Sequence, residues 1–203
     1  DDDLRRGKPT NHKVYGEAVA VLAGDALLTL AFEVISQSKP AGNYTAAEMV
    51  QELALTAGSR HLVGGQVMDM EGEGADPSSQ QLRFIHESKT AALLSCSLRL
   101  GAMAAGANPR KIDALSQFGQ ATGLAFQIID DILDITQSSE KLGKSAGKDL
   151  ATEKATYPAT HGLEKSRREA ARLTEQAITA LKPLGSKASR LREIGSYLLE
   201  RDY

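Results

Sequence analysis

The stretch GLAFQIIDDILDI, Gly123 to Ile135, sets Asp130, Asp131 and Asp134 in a run that is otherwise almost wholly apolar. No other feature constrains the chain as much. The positions Leu124, Phe126, Ile128, Ile129, Ile132, Leu133 and Ile135 go most of the way round a helix. A helix apolar nearly all round is buried. Residues three and four apart share a face, so Gln127, Asp130, Asp131 and Asp134 are expected on one strip. Asp130 and Asp134 fall about one turn, ~6 Å, apart along the axis. Carboxylates so close repel one another, and removing each from water costs several kcal/mol. Two readings follow. The strip meets solvent or pairs with Arg and Lys elsewhere, or it faces a cavity where a cation balances its charge. Oxygen donors without His or Cys specify a hard metal, Mg²⁺ first. Mg²⁺ takes one or two carboxylates and completes its shell with water and phosphate oxygens. The second reading implies a phosphate ester held through magnesium.

Almost everything else reads as helix, so the expected fold class is all-α, a single domain over residues 1–203. Apolar residues recur at helical spacing from Glu17 to Ile35. Thr45 with Glu48 forms a capping box that opens a helix toward Met70. Gly64 and Gly65 fall inside that helix, where two glycines cost roughly 2 kcal/mol against alanine. A close packing partner or a bend is expected there. Asp76-Pro77 and Asn108-Pro109 each pair an N-cap with a proline at the first helical position, starting helices to about Ala105 and Ile135. Leu163 to Leu181 and Arg190 to Arg201 close the chain as amphipathic helices. No strand alternation is seen. The long irregular segment Ser138 to Tyr157 is rich in Gly, Ser and Lys and directly follows the aspartates.

Composition closes off some alternatives. A net charge of -2 disfavours non-specific nucleic-acid binding. The single cysteine, Cys96, makes no intramolecular disulfide and sits in an apolar helix as a core residue. Each long apolar run is interrupted by charge or Gly, so no membrane span is expected. The opening DDDLRRGKPT, charged and without a methionine, is read as starting inside a larger protein.

Basic and polar residues fit the phosphate reading. Arg5, Arg6 and Lys8 form a dense cluster, and the Arg fork suits phosphate oxygens. His86, Lys89 and Thr90 fall on one helical face. A lysine on a mostly buried helix needs an anionic partner, whereas His86 is a structural hydrogen-bonder. Lys144 and Lys154 lie in the segment after the aspartates, which lacks P-loop spacing.

Taken together, FQIIDDILD resembles the second aspartate-rich motif, DDxxD, of the trans-polyprenyl diphosphate synthases. DDDLRRGKPTNHK, LAGDALLTLAFE, GGQVMDMEGEG, HESKTAALL, LGKSAGKDL and KATYPATHGLE agree with that family in order, closest to its farnesyl and geranylgeranyl branch. The resemblance implies an isoprenoid-synthase bundle of long helices around a central cavity, a likeness to homodimers, and Mg²⁺ as cofactor. It also implies that isopentenyl diphosphate is joined to an allylic diphosphate, whether dimethylallyl, geranyl or farnesyl. Position by position it implies Asp130, Asp134 and Asp131 as metal residues, with Asp130, Lys89 and Lys144 in the catalytic group. Arg5, Arg6, Lys89, Thr90, Gln127, Lys144 and Lys154 correspond to substrate-binding positions. Gln66 and Asp69 belong to a polar network near the pocket, and Gly24-Asp25 to the scaffold. The family's first aspartate-rich motif would end just before Asp1, so the N-terminal helices that carry it are expected to precede this sequence. A cytoplasmic location is the default expectation. The alternative functions are a non-catalytic regulatory subunit of such a synthase and, more distantly, a terpene cyclase.

Overall fold

The structure is a computed structural model that describes residues 2–72, 74, 78–137 and 156–200. A two-stranded antiparallel hairpin comes first, β1 (Leu4–Arg5) and β2 (Lys8–Pro9), with Arg5 opposite Lys8. Arg6 and Gly7 turn it with φ of 54° and 72°. Positive φ at both central residues is what a two-residue hairpin needs, and Arg6 is the non-glycine residue held there. Four paired residues are too few to show alternation in the sequence, and the all-α class stands.

Helices account for most of the rest. They run α1 (Asn11–Tyr15), α2 (Glu17–Ser36), α3 (Ala46–Ala57), α4 (Leu62–Glu71) and α5 (Ser79–His86). A five-residue π turn, Glu87–Ala91, then leads straight into α6 (Ala92–Ala104). α7 (Pro109–Thr136) follows, then α8 (Tyr157–His161), α9 (Leu163–Ala180), a 3₁₀ segment (Lys182–Ala188) and α10 (Ser189–Glu200).

α7 is the axis of the fold. Asn108 caps it, its side chain accepting from the Lys111 N–H at 3.0 Å, and Pro109 takes the first turn. One side packs on α6 and the π turn, the other on α9. Its first half buries Ile112, Leu115, Phe118 and Ala121 with Met49, Met103, Ala177 and Leu181. Its second half buries Leu124, Ala125, Ile128 and Ile132 with Ala170 and Leu173 of α9. A Cβ on Gly123 would stand 2.4 Å from Ala91 Cα, so only glycine lets the π turn approach α7 this closely. Arg99 of α6 ties three helices together. Its guanidinium donates to both Glu52 carboxylate oxygens of α3 at 2.6 and 3.1 Å and to the Ser116 hydroxyl of α7 at 2.9 Å.

Several boundaries differ from the sequence reading. The capping box at Thr45 and Glu48 is present, but α3 ends at Ala57 and α4 begins afresh at Leu62. Gly65 has the expected close partner: a Cβ there would lie 2.6 Å from the Lys89 backbone nitrogen. α5 starts from a capping box of Ser78 with Gln81. Asp76 and Pro77, where the start was expected, lie outside the described residues.

α2 departs most from expectation, because it has no buried residue. Val21, Leu22 and Leu27 are each about two-thirds exposed, at 65%, 64% and 67%. With a mean hydropathy of 2.0 over its most apolar 18 residues, α2 is also long and apolar enough, by length and composition, to cross a membrane. The expectation of no such window fails here because Gly24 and Asp25 interrupt the run without lowering its average enough.

Candidate active site

The aspartates project from the buried half of α7 near its C-terminal end. Asp131 and Asp134 are buried, at 2% and 5% exposure, and Asp130 is half-buried. Their surroundings come from elements far apart in sequence. Thr90 of the π turn donates its hydroxyl to the Gln127 side-chain oxygen at 2.9 Å. Lys89 reaches the other way and donates to Asp69 of α4 at 2.5 Å. Both residues stand in the π turn, whose wider winding spreads them toward different neighbours. Such turns recur at functional sites.

The single acidic strip divides in two. Successive residues on a helix point about 100° apart. Asp131 accordingly turns toward α5 and α8. Its Oδ2 accepts from His86 Nε2 at 3.2 Å and from the Tyr157 backbone N–H at 2.8 Å. A carboxylate only accepts, so Nε2 carries the proton of the imidazole. His86 is itself buried, with its ring stacked 6.3 Å from that of Tyr157. Asp130 and Asp134, four apart, remain on one face.

Most of the expected site residues can be placed. Lys89, Thr90, Gln127 and Asp69 come together around the π turn. Gln66 is exposed on α4. Arg5 and Arg6 are exposed on the hairpin. Beside them the Asp3 carboxylate pairs with Lys13 at 2.8 Å, and that bond holds Asp3 below the usual carboxylate range. Lys144 and Lys154 lie outside the described residues. Two contributors went unseen in the sequence, Tyr157 and Gly123. Tyr157 acts through its backbone and leaves no residue-type signal. Gly123 had one, since Gly119 four residues earlier also packs against the α6 side, with a built Cβ 2.6 Å from Ser95 Cα.

The donor chemistry suits a hard cation. Asp130 and Asp134 offer carboxylate oxygens, the donor type that a hard cation takes. Among the described residues, no three His, Cys, Asp or Glu side chains converge as a complete metal shell. Mg²⁺ commonly takes only one or two protein carboxylates, which this pair provides. Cys96 stays out of the chemistry: it is 1% exposed, and burial pushes its thiol above the ordinary value. A separate surface pocket of about 330 Å³ lies beyond Tyr157, among His161, Lys165, Arg168, Glu169 and Arg172. It does not hold the aspartates.

Known proteins resemble the chain in sequence and in fold. The chain is 50% identical over 205 residues to a chloroplastic geranylgeranyl pyrophosphate synthase of Catharanthus roseus, aligning 100% of itself with 57% of that protein. A chloroplastic geranylgeranyl pyrophosphate synthase of Capsicum annuum is 48% identical, aligned over 100% of this chain and 56% of its own length. The chain therefore spans little more than half the length of these relatives. A Helicobacter pylori geranyltransferase, crystallised with magnesium and isoprenyl diphosphate, superposes with a TM-score of 0.80 at 35% identity, over 98% of this chain and 65% of that one. The chloroplastic relatives overturn the cytoplasmic expectation, which rested only on default. The match to the polyprenyl synthetase family model runs from residue 1 to residue 194, and with an all-α bundle built around this aspartate helix the chain belongs to that family.

Proposed function

We propose that the chain carries the second aspartate-rich motif of a prenyltransferase that condenses isopentenyl diphosphate with an allylic diphosphate, giving geranylgeranyl diphosphate. The observation that carries this is the pairing of Asp130 and Asp134 on a buried helix, with Thr90 bonded to Gln127 on that same helix and Lys89 next to Thr90 in the π turn. Arg5 and Arg6 bind the two diphosphates, their guanidinium forks matching phosphate oxygens. Asp69 holds the Lys89 ammonium in place by a charge-assisted bond, so the cation meets the diphosphate already oriented. Thr90 and Gln127 brace each other on the same side, and by resemblance Lys144 and Lys154 join them. Asp130, with Asp134 one turn on, supplies the oxygens for Mg²⁺, which when bound neutralises charge on the departing diphosphate. Buried Ile128 and Ile132, flanking the aspartates, keep water from that stretch of helix.

The exposed α2 supports assembly, because so much bare apolar surface marks an interaction site. We assign a second copy to it, making the working enzyme a homodimer, and place that enzyme in the plastid as its relatives are. Neither the regulatory subunit nor the cyclase has an observation in its favour, since the DDILD motif and both arginines are intact.

The test uses the complete gene product with isopentenyl diphosphate, each allylic primer and Mg²⁺, followed by chromatography of the products. A C20 diphosphate is expected. No condensation with any primer sinks the proposal. Light scattering reads the assembly: a dimer is expected, and Leu27→Glu shifts it to monomer.

A further inference from the structure

We infer that Asp131 is a positioning residue rather than a metal ligand: its carboxylate fastens α7 to α5 and α8 through His86 and Tyr157, leaving the cation face to Asp130 and Asp134. The inference deepens the function proposed above, and its activity arm rests on that proposal. Three observations carry it. Asp131 is 2% exposed, and its Oδ2 already receives two donors, His86 Nε2–H at 3.2 Å and Tyr157 N–H at 2.8 Å. His86 is buried at 5% exposure and stacks on Tyr157, so the anchor is packed on both sides. Helical geometry turns Asp131 about 100° away from Asp130. A buried carboxylate committed to two donors is held in one orientation, because breaking either bond leaves a desolvated charge underpaired.

The consequence is positional. Tyr157 is the first residue of α8 and stands three residues after Lys154 in the sequence. Asp131 thereby fixes the backbone just beyond that lysine relative to the helix that carries Asp130. The two adjacent aspartates of the motif divide their work, one toward the cation and one toward the scaffold.

Hydrogen exchange on the complete protein without metal tests the anchor directly. Asp131→Ala speeds exchange of the Tyr157 amide by about tenfold, the loss of one hydrogen bond. Asp131→Asn, which keeps an acceptor oxygen, restores most of that protection. Asp130→Ala leaves it alone. Mg²⁺ titration of the condensation gives the second readout. Asp130→Asn raises the half-saturating Mg²⁺ concentration by about tenfold or more, while Asp131→Asn leaves that midpoint in place and recovers much of the turnover that Asp131→Ala loses. A Tyr157 amide unchanged in Asp131→Ala overturns the inference. So does an Asp131→Asn midpoint shifted as far as that of Asp130→Asn. If the unmutated protein condenses nothing, the proposed function fails, and the exchange experiment still decides the anchor.

Discussion

α2 and α7 look alike as sequence and behave as opposites in the fold. Both are long, both are rich in aliphatic residues, and both carry carboxylates, Asp25 in the middle of one and Asp130, Asp131 and Asp134 near the C-terminal end of the other. α7 lies at the centre with its aliphatic residues buried between α6 and α9, whereas α2 has no fully buried residue and meets the core only through the partly buried Ala31, Phe32 and Ile35. Apolar composition therefore states that a helix is to be covered; it does not state by what. For α7 the cover is the rest of this chain. For α2 the described residues cover only the strip of Ala31, Phe32 and Ile35, so its remaining apolar surface bears on assembly and α7's on the internal core.

Substitutions in the two helices sharpen that contrast. The largest effect is expected in the core. Phe118→Ala in α7, where the ring is 3% exposed, lowers stability by about 3–5 kcal/mol in denaturant unfolding. Leu27→Ala in α2, 67% exposed, changes the unfolding of the isolated chain by less than about 0.5 kcal/mol. A large Leu27 effect in the isolated chain would show that α2 is covered internally and break the comparison. Next comes chemistry: Asp130→Ala keeps a folded circular-dichroism spectrum and loses about 100-fold in turnover, as removal of one stabilising charge does. A fully active variant contradicts its role. The glycines follow. Gly123→Ala pushes a methyl into the Ala91 backbone and costs about 1–3 kcal/mol in thermal unfolding. Gly24→Ala, with open space around it, stabilises the isolated chain by up to about 1 kcal/mol. If the assembled protein reverses that gain, a partner approaches α2 at Gly24.

The smallest effect is the pH dependence at Cys96. Burial raises its pKa above the ordinary 9.0. Above pH 9 the unfolded chain therefore loses the thiol proton while the folded chain retains it. The stability this contributes is complete below that pH and declines as pH rises toward the raised value. A Cys96→Ala variant lacks this decline in stability measured from pH 8 upward.

Residue patterns foretold those parts of the fold that rest on local rules. Asn108-Pro109 and Thr45 with Glu48 mark helix starts because capping is settled within four residues. The break between α3 and α4 was hidden, since Gly58 to His61 interrupts a pattern whose apolar spacing resumes at once. The turn at Arg6 and Gly7 was hidden too, because only one of its two positive-φ residues is a glycine. For the site, the aspartates, Lys89 and Thr90 were visible as residue types out of place in apolar helices. The pairings they make were not. Asp131 meets His86 and Tyr157 across gaps of 45 and 26 residues, and pairings that long-range depend on packing that no local pattern encodes.

The π turn at Glu87–Ala91 carries one residue more than an α-helix would use for the same advance. That surplus acts as a phase shifter: α5 enters with His86 aimed at Asp131, and α6 leaves with Ser95 laid against Gly119. Deleting a single residue here would let the strand of hydrogen bonds run on uninterrupted while rotating everything upstream by roughly a quarter turn. The chain's tolerance for length changes should thus be lowest in a stretch that looks like ordinary helix.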